Sequence, residues 1–376
     1  MACLLFLGTA VRAWSGTLNR VQTVFLIVME NQDWSDVRGS TNAPYINGVL
    51  LPMASHCEQY YNPPGMHPSL TDYLWLEGGT NFGVLDDGSP YTNNCQTPAD
   101  VQTTTNHLST YLNNAGISWR GYFEDCPTNV IELAGFNLYV VRHNPFAYFT
   151  DVIGTNITTY CTSDSPYGVQ HLRPYTDLAS DLQANTVGRY NLVIPNLCHD
   201  MHNVCAPLTN QLMQGDTWLS TEVPKILNSA AYQRNGLLLL TWDEGATGDG
   251  PIGMLVLSPL AKGGGYYNTR YYTHSSTLRT MQEIFGVRPW LGDAANAEDL
   301  SDLFQQLEIS GVSRQAGGAI QLTITGVIPN STNIVQASSD LVSWTGVATN
   351  SVPTNTFSFS DSVQGAARFY RVVELQ

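Results

Sequence analysis

Apolar residues fall into short unbroken runs along most of the chain, and several runs stop at acids. Residues 24–29 (Val-Phe-Leu-Ile-Val-Met) give way at once to Glu30 and Asn31. Six consecutive apolar positions, several of them β-branched or aromatic, predict a strand buried on both faces. Residues 191–195 and 251–259 read the same way, and 236–242 does so while ending at Asp243 and Glu244. Residues 117–123 alternate, predicting a further strand that ends at Glu124. Helices are predicted over 70–76, 101–113, 175–182 and 215–227, the last with Asp216 as its cap, and another opens at His274. Strands alternating with helices imply a mostly parallel α/β sheet. The polar residues then gather on one rim, at the strands' carboxyl ends, where open α/β sheets bind ligands.

Beyond about residue 310 the pattern changes. Residues 315–318 (Gln-Ala-Gly-Gly) read as a linker. Residues 319–326, 332–339 and 357–360 then alternate as half-buried strands, and 367–374 closes the chain. This predicts a large α/β domain over 14–310 and a small all-β domain over 318–376. The latter resembles the β-sandwich modules attached to exported bacterial proteins, with 339–345 (Ser-Asp-Leu-Val-Ser-Trp-Thr) as its clearest piece. So small a unit is expected to dock on its neighbour. A structural cap is favoured over glycan binding, because no exposed-aromatic pattern stands out.

Composition narrows the partners. The 376 residues carry 31 acids against 16 bases, a formal charge of −15. That argues against nucleic acid, which needs clustered Lys and Arg. A phosphorylated small molecule stays open, since a bound cation can supply positive charge. Residues 3–11 form a short apolar run before Val11-Arg12-Ala13, so 1–13 reads as the remnant of a signal peptide, with a buried first strand as the alternative. No other stretch is apolar for long enough to predict a membrane span. Of the seven cysteines, Cys57, Cys95, Cys126, Cys161, Cys198 and Cys205 lie beyond that run. In a secreted or periplasmic protein they imply up to three disulfides, with Cys198–Cys205 the local candidate.

The rim residues carry the chemistry. Glu30 and Asn31 offer hard oxygen donors for a metal ion, or else a solvated acid and a capping amide. Ser69 falls at a helix amino end, where it is either an N-cap or a nucleophile favoured by the helix dipole. His67 precedes it in a Pro- and Gly-rich loop. Arg142 and His143 form a basic pair beside a turn. His199, Asp200 and His202 lie between Cys198 and Cys205. Free thiols would make this a zinc site, whereas a disulfide would make it a stapled loop presenting His and Asp, the reading favoured here. Asp243 and Glu244 would repel each other unless a cation bridged them. His274, at a helix start, can meet a metal or a phosphate.

The segments VMENQDWSD, HPSLTDYLWLEGG, RHNPFAYF, PNLCHDMHN, TWDEG and THSSTLRTMQEIFG follow in this order. Together they resemble the phosphoesterase family of secreted acid phosphatases and phospholipase C enzymes, over roughly residues 21–305. The resemblance implies an alkaline-phosphatase-like α/β/α sandwich and metal-dependent hydrolysis of phosphate esters. It also implies roles. Glu30, Asn31, Ser69, Asp200, Asp243 and Glu244 would serve one or two divalent ions (Mg, Ca, Mn or Zn). Ser69 would be the nucleophile, passing through a phosphoseryl intermediate. His67, His202 and His274 would be catalytic and contact substrate, together with Asn31 and His143. The chain departs from the family at Thr71-Asp72, where Pro-Asn is common, at His199, where Asn is common, and at Ser275, where Tyr is common. A phosphomonoesterase is the leading expectation. A phospholipase C-type phosphodiesterase is the alternative, and an inert binding or adhesion protein on the same fold is the reading from another class.

Overall fold

The computed structural model describes residues 17–362 and 368–375; the expected signal remnant at 1–13 lies outside the described residues. Eight strands form the central sheet: β1 (Thr23–Met29), β2 (Ser55–Cys57), β3 (Trp119–Phe123), β4 (Leu172–Pro174), β5 (Tyr190–Ile194), β6 (Gly236–Trp242), β7 (Met254–Leu257) and β8 (Tyr267–Asn268). Their order is β4-β3-β5-β1-β6-β7-β2-β8. All neighbours are parallel except at β7, which runs antiparallel to both β6 and β2. The mostly parallel α/β expectation therefore holds, with one reversed strand. β6 is buried at every position and β1 at all but its first, so both faces of the sheet are covered.

The longer helices are α1 (Ser69–Gly78), α2 (Leu108–Asn114), α3 (Thr176–Ala184), α4 (Gln211–Leu227) and α5 (His274–Phe285). Helix α2 is half the predicted length. Residues 103–105 are three threonines, whose β-branched side chains disfavour a helix, and Gln102 instead bridges to Phe149. Helix α4 begins earlier than predicted, and its cap is Asn210, which accepts from the Met213 N–H at 2.9 Å. Asp216 is buried inside that helix and accepts from the Tyr45 and Ile46 N–H groups, capping the next helical turn in space. One turn of α4 carries Gly215. A Cβ there would stand 2.4 Å from the Met201 side chain, so glycine lets the loop bearing Asp200 lie against the helix.

Helix α1 is pinned at its far end by a triad in which His107 and Glu77 are buried and Asp151 reaches solvent. His107 donates between Glu77, 3.1 Å from Nδ1, and Asp151, 3.0 Å from Nε2, and its ring stacks on Phe149 at 3.9 Å. Two disulfides are present, Cys95–Cys161 and Cys198–Cys205. Cys57 and Cys126 are buried thiols, so the upper expectation of three bridges is not reached.

The C-terminal region holds two three-stranded antiparallel sheets, made of β9 (Glu308–Arg314), β10 (Ile320–Thr325), β11 (Thr332–Ser338), β12 (Thr345–Asn350), β13 (Thr356–Asp361) and β14 (Phe369–Leu375). Strands β9 and β10 pair as a hairpin, and residues 315–319 form its turn rather than a linker. The all-β region thus starts about ten residues before position 318. It has its own small core of Leu322, Ile324, Val327, Val335 and Phe357. Arg20 of the N-terminal region pairs with Glu374 at 2.9 Å.

Candidate active site

The site is built at the carboxyl ends of the central strands. β1 and β6 pair in parallel, with Met29 opposite Trp242, so Glu30 and Asp243 leave the sheet side by side. The Asp243 N–H donates to the Met29 carbonyl at 2.9 Å, and the Glu30 N–H donates to the Asp200 carbonyl at 2.7 Å. Backbone bonds thus seat Glu30 between the two aspartates. The Asn31 N–H donates to Asp243 Oδ1 at 2.9 Å, and its amide donates to Glu244 Oε1 at 2.7 Å. Asn31 adopts φ 35°, a left-handed conformation that asparagine tolerates better than most residues.

Ser69 is the first residue of α1, and Pro68 stands at the cap position. The serine hydroxyl is therefore not spent on capping. It donates to Glu30 Oε2 at 3.0 Å. One turn further on, Tyr73 donates to Glu30 Oε1 at 2.7 Å. The Tyr73 ring stacks on His143 at 5.2 Å. His143 is buried, with Nε2 at 3.1 Å from Glu30 and Nδ1 at 3.4 Å from Asp200. Asp200 Oδ1 accepts from the His202 N–H at 2.8 Å, and His202 Nδ1 meets Asn203 Oδ1 at 2.9 Å. The disulfide Cys198–Cys205 closes this loop.

The electrostatics are one-sided. Glu30, Asp72, Asp200 and Asp243 are fully buried. Burial raises all four carboxyl pKa values; mutual repulsion adds to this, and Asp243 reaches about 6. Asp243 lies close enough to Ser69 and Glu30 for both to bear on its ionisation. His143, by contrast, is pushed well down by burial, and Arg142 and His202 add to the effect. Oδ2 of Asp200, Oδ2 of Asp243, both oxygens of Asp72 and Nε2 of His143 have no hydrogen-bond partner among the described residues. Buried carboxylates without partners cost several kcal/mol unless a proton or a cation neutralises them. This donor set of carboxylates, an amide and an imidazole suits a divalent cation. Ligand atoms of Glu30, His143 and Asp200 lie within 4.8 Å of one another.

Other expected residues sit at the edge of this group. His67 is partly exposed, with Nδ1 against Glu244 and Nε2 2.9 Å from Asp249. Burial opposes its cation, yet Asp249 and Glu244 raise its pKa. His274 opens α5 and is fully buried, which lowers its pKa to about 4. Its Nε2 meets the Asp243 carbonyl at 2.6 Å and its Nδ1 meets the Tyr60 hydroxyl at 3.0 Å. Nε2 thus holds the Asp243 backbone, while the Tyr60 hydroxyl holds the ring through Nδ1. His199 pairs with Glu124 at 2.8 Å on the outer side of the stapled loop.

Sequence reasoning missed Asp72, Tyr73 and Asp249. The first two follow Ser69 by three and four positions, the spacing that puts helical residues on one face. That periodicity could have found them. Asp249 lies in the loop 245–250, and nothing local in the sequence marks it.

A model of the Phosphoesterase family matches residues 54–288. The chain is 27% identical to the phosphatidylinositol-3-phosphatase of Mycobacterium tuberculosis over 282 residues, 75% of this chain and 82% of that protein. It is 28% identical to the phosphate-repressible acid phosphatase of Penicillium chrysogenum over 237 residues, 60% of this chain and 51% of that protein, so it spans about half the fungal enzyme's length. A solved structure of a protein in the alkaline phosphatase superfamily from Vibrio parahaemolyticus is similar at TM-score 0.48 and 11% identity, covering 89% of this chain and 84% of that one. The family match takes in well over half the chain, and the residues it spans include Ser69, Asp200, Asp243 and His274: the protein belongs to the Phosphoesterase family and is a hydrolase of phosphoric esters.

Proposed function

We propose that the protein is an exported, metal-dependent phosphomonoesterase in which Ser69 attacks phosphorus. One observation carries this reading. Ser69 presents its hydroxyl from a helix start, 3.0 Å from a buried glutamate, among carboxylates that lack cationic partners. Glu30, Asn31, Asp243 and Glu244 would hold a divalent ion beside Ser69, and Asp200 with His143 would complete the donor set. Such an ion supplies a Lewis acid that acidifies the serine hydroxyl and offsets phosphoryl charge.

The chain's own residues do the rest. As Ser69 attacks, Glu30 Oε2 accepts its hydroxyl proton, and it returns that proton when the serine is released. The α1 amino end favours the alkoxide and the phosphoryl oxygens. As the Oγ–P bond forms, the bond from phosphorus to the leaving oxygen breaks. That oxygen takes a proton from the His202 imidazolium through Nε2, while Nδ1–H stays on Asn203 Oδ1; the attacking water later returns a proton to the ring. Water then cleaves the phosphoserine and regenerates the hydroxyl. His67, tied to Glu244 and Asp249, carries positive charge at the mouth. His274 fixes the Asp243 backbone.

A monoester is favoured because the two named relatives are both phosphatases. Export is supported by the two disulfides, which persist in oxidising compartments. The test is hydrolysis of p-nitrophenyl phosphate against a phosphatidyl diester, with and without added divalent ion. Preference for the diester would replace the monoesterase with a phospholipase C. Inertness toward both under every ion would favour a binding protein.

A further inference from the structure

Beside the mouth lies an aromatic pair that the chemistry above does not use. Tyr61 and Tyr271 face each other with ring centres 5.1 Å apart and planes inclined by 31°. Tyr61 lies on the short strand Tyr60–Tyr61, and Tyr271 directly precedes the strand Tyr272–Thr273, which pairs with it in parallel, Tyr60 opposite Tyr272. Each strand leads into the site. Tyr61 enters the 62–68 loop that ends at His67 and Ser69, and Tyr272–Thr273 runs straight into His274. Tyr271 is 59% exposed, so its ring is turned outward rather than packed in the core.

The surroundings set what this pair can take. Asp249 binds His67 at 2.9 Å and so marks the same mouth. Asp293 accepts from the Ser275 hydroxyl at 2.8 Å, beside His274. Partial burial raises the Tyr271 phenol, and Tyr61, Asp293 and Asp249 add to it. Carboxylates there repel an anionic leaving group and accept hydrogen bonds from hydroxyls. The face of a tyrosine ring packs against the C–H face of a saturated ring through apolar burial and dispersion, which a flexible acyclic chain matches less well.

We propose that Tyr61 and Tyr271 form a leaving-group platform that selects monoesters of uncharged cyclic alcohols over acyclic ones. The platform rests on the phosphomonoesterase reading. It acts through binding of the alcohol portion, remote from the bonds that change.

The experiment compares kcat/KM for glucose 6-phosphate and glycerol 3-phosphate in the wild-type protein and in Tyr271→Leu, Tyr61→Leu and Tyr271→Phe. The wild type should favour the cyclic ester. Each leucine variant should lower the cyclic-to-acyclic ratio roughly 3- to 10-fold, chiefly through KM, as loss of one aromatic contact does. Tyr271→Phe, which keeps the face, should retain the ratio. A ratio unchanged in the leucine variants, or a wild type that prefers the acyclic ester, overturns the platform and leaves the monoesterase standing. A wild type that hydrolyses neither ester overturns the monoesterase, and the platform falls with it.

Discussion

The hydroxyl of Ser69 donates to Glu30 Oε2 at 3.0 Å, joining the first residue of a helix to the first residue beyond a strand. Both side chains are buried, and the glutamate also receives the Tyr73 phenol. The proposed nucleophile is thus held in place by Glu30 alone, with no ligand needed. Ser69→Ala is expected to lower turnover by roughly three orders of magnitude or more. Its melting temperature should stay within a few degrees of the wild type, since only one hydrogen bond is lost. Near-wild-type kcat in a folded variant would exclude Ser69 as nucleophile.

Chelation tests the cation. Stripping divalent ions should abolish hydrolysis and lower the melting temperature, because repelling carboxylates then lose their counter-charge. Re-adding the right ion among Mg, Ca, Mn and Zn should restore both. At a free concentration a hundredfold above Kd, binding to the folded state alone adds about 2.7 kcal/mol. A melting curve and an activity that both ignore chelator would contradict the metal site.

The His107 triad predicts a pH dependence. Burial works against the cation, but Asp151 and Glu77 outweigh it and lift the His107 pKa to about 9. A histidine pKa raised by folding stabilises fully below its unfolded value near 6.5, and that contribution is lost as pH climbs through about 9. At most about 3 kcal/mol is involved, from roughly 1.4 kcal/mol per pKa unit. Thermal melts should therefore show a decline between those limits. In His107→Gln the protein should be less stable in mild acid and decline less. Parallel curves for the two proteins would refute the charged triad.

Removing the staple should separate stability from catalysis. The Cys198→Ser, Cys205→Ser double variant loses a short loop closure worth about 2 kcal/mol by chain entropy. Its turnover should fall by more than that loss implies, because Asp200 and His202 are both presented by the closed loop. Full activity in the double variant, measured beside its melting temperature, would show that the loop needs no clamp.

The layout of the candidate site is readable wherever local pattern and position coincide. An apolar run ending in acids marked β1 and β6, and parallel pairing then placed Glu30 against Asp243. The staple was legible because Cys198 and Cys205 bracket a polar segment. The helical start at Ser69 was legible too, but not that Pro68 would take the cap position and free the hydroxyl. Asp216 misled for a related reason. Its carboxylate does cap backbone N–H groups, but those of Tyr45 and Ile46, brought near only by tertiary packing. His274 shows the remaining gap: whether an imidazole faces substrate or a carbonyl depends on burial, which sequence spacing does not state.

The parallel ladder that seats Glu30 next to Asp243 leaves their separation to the lattice of the sheet, not to side-chain adaptation. Substitution has little freedom to change it without slipping a whole strand. The loops 62–68 and 245–250 lie outside that ladder, so substitutions in them can alter what the edge of the site contacts while Glu30 and Asp243 keep their spacing.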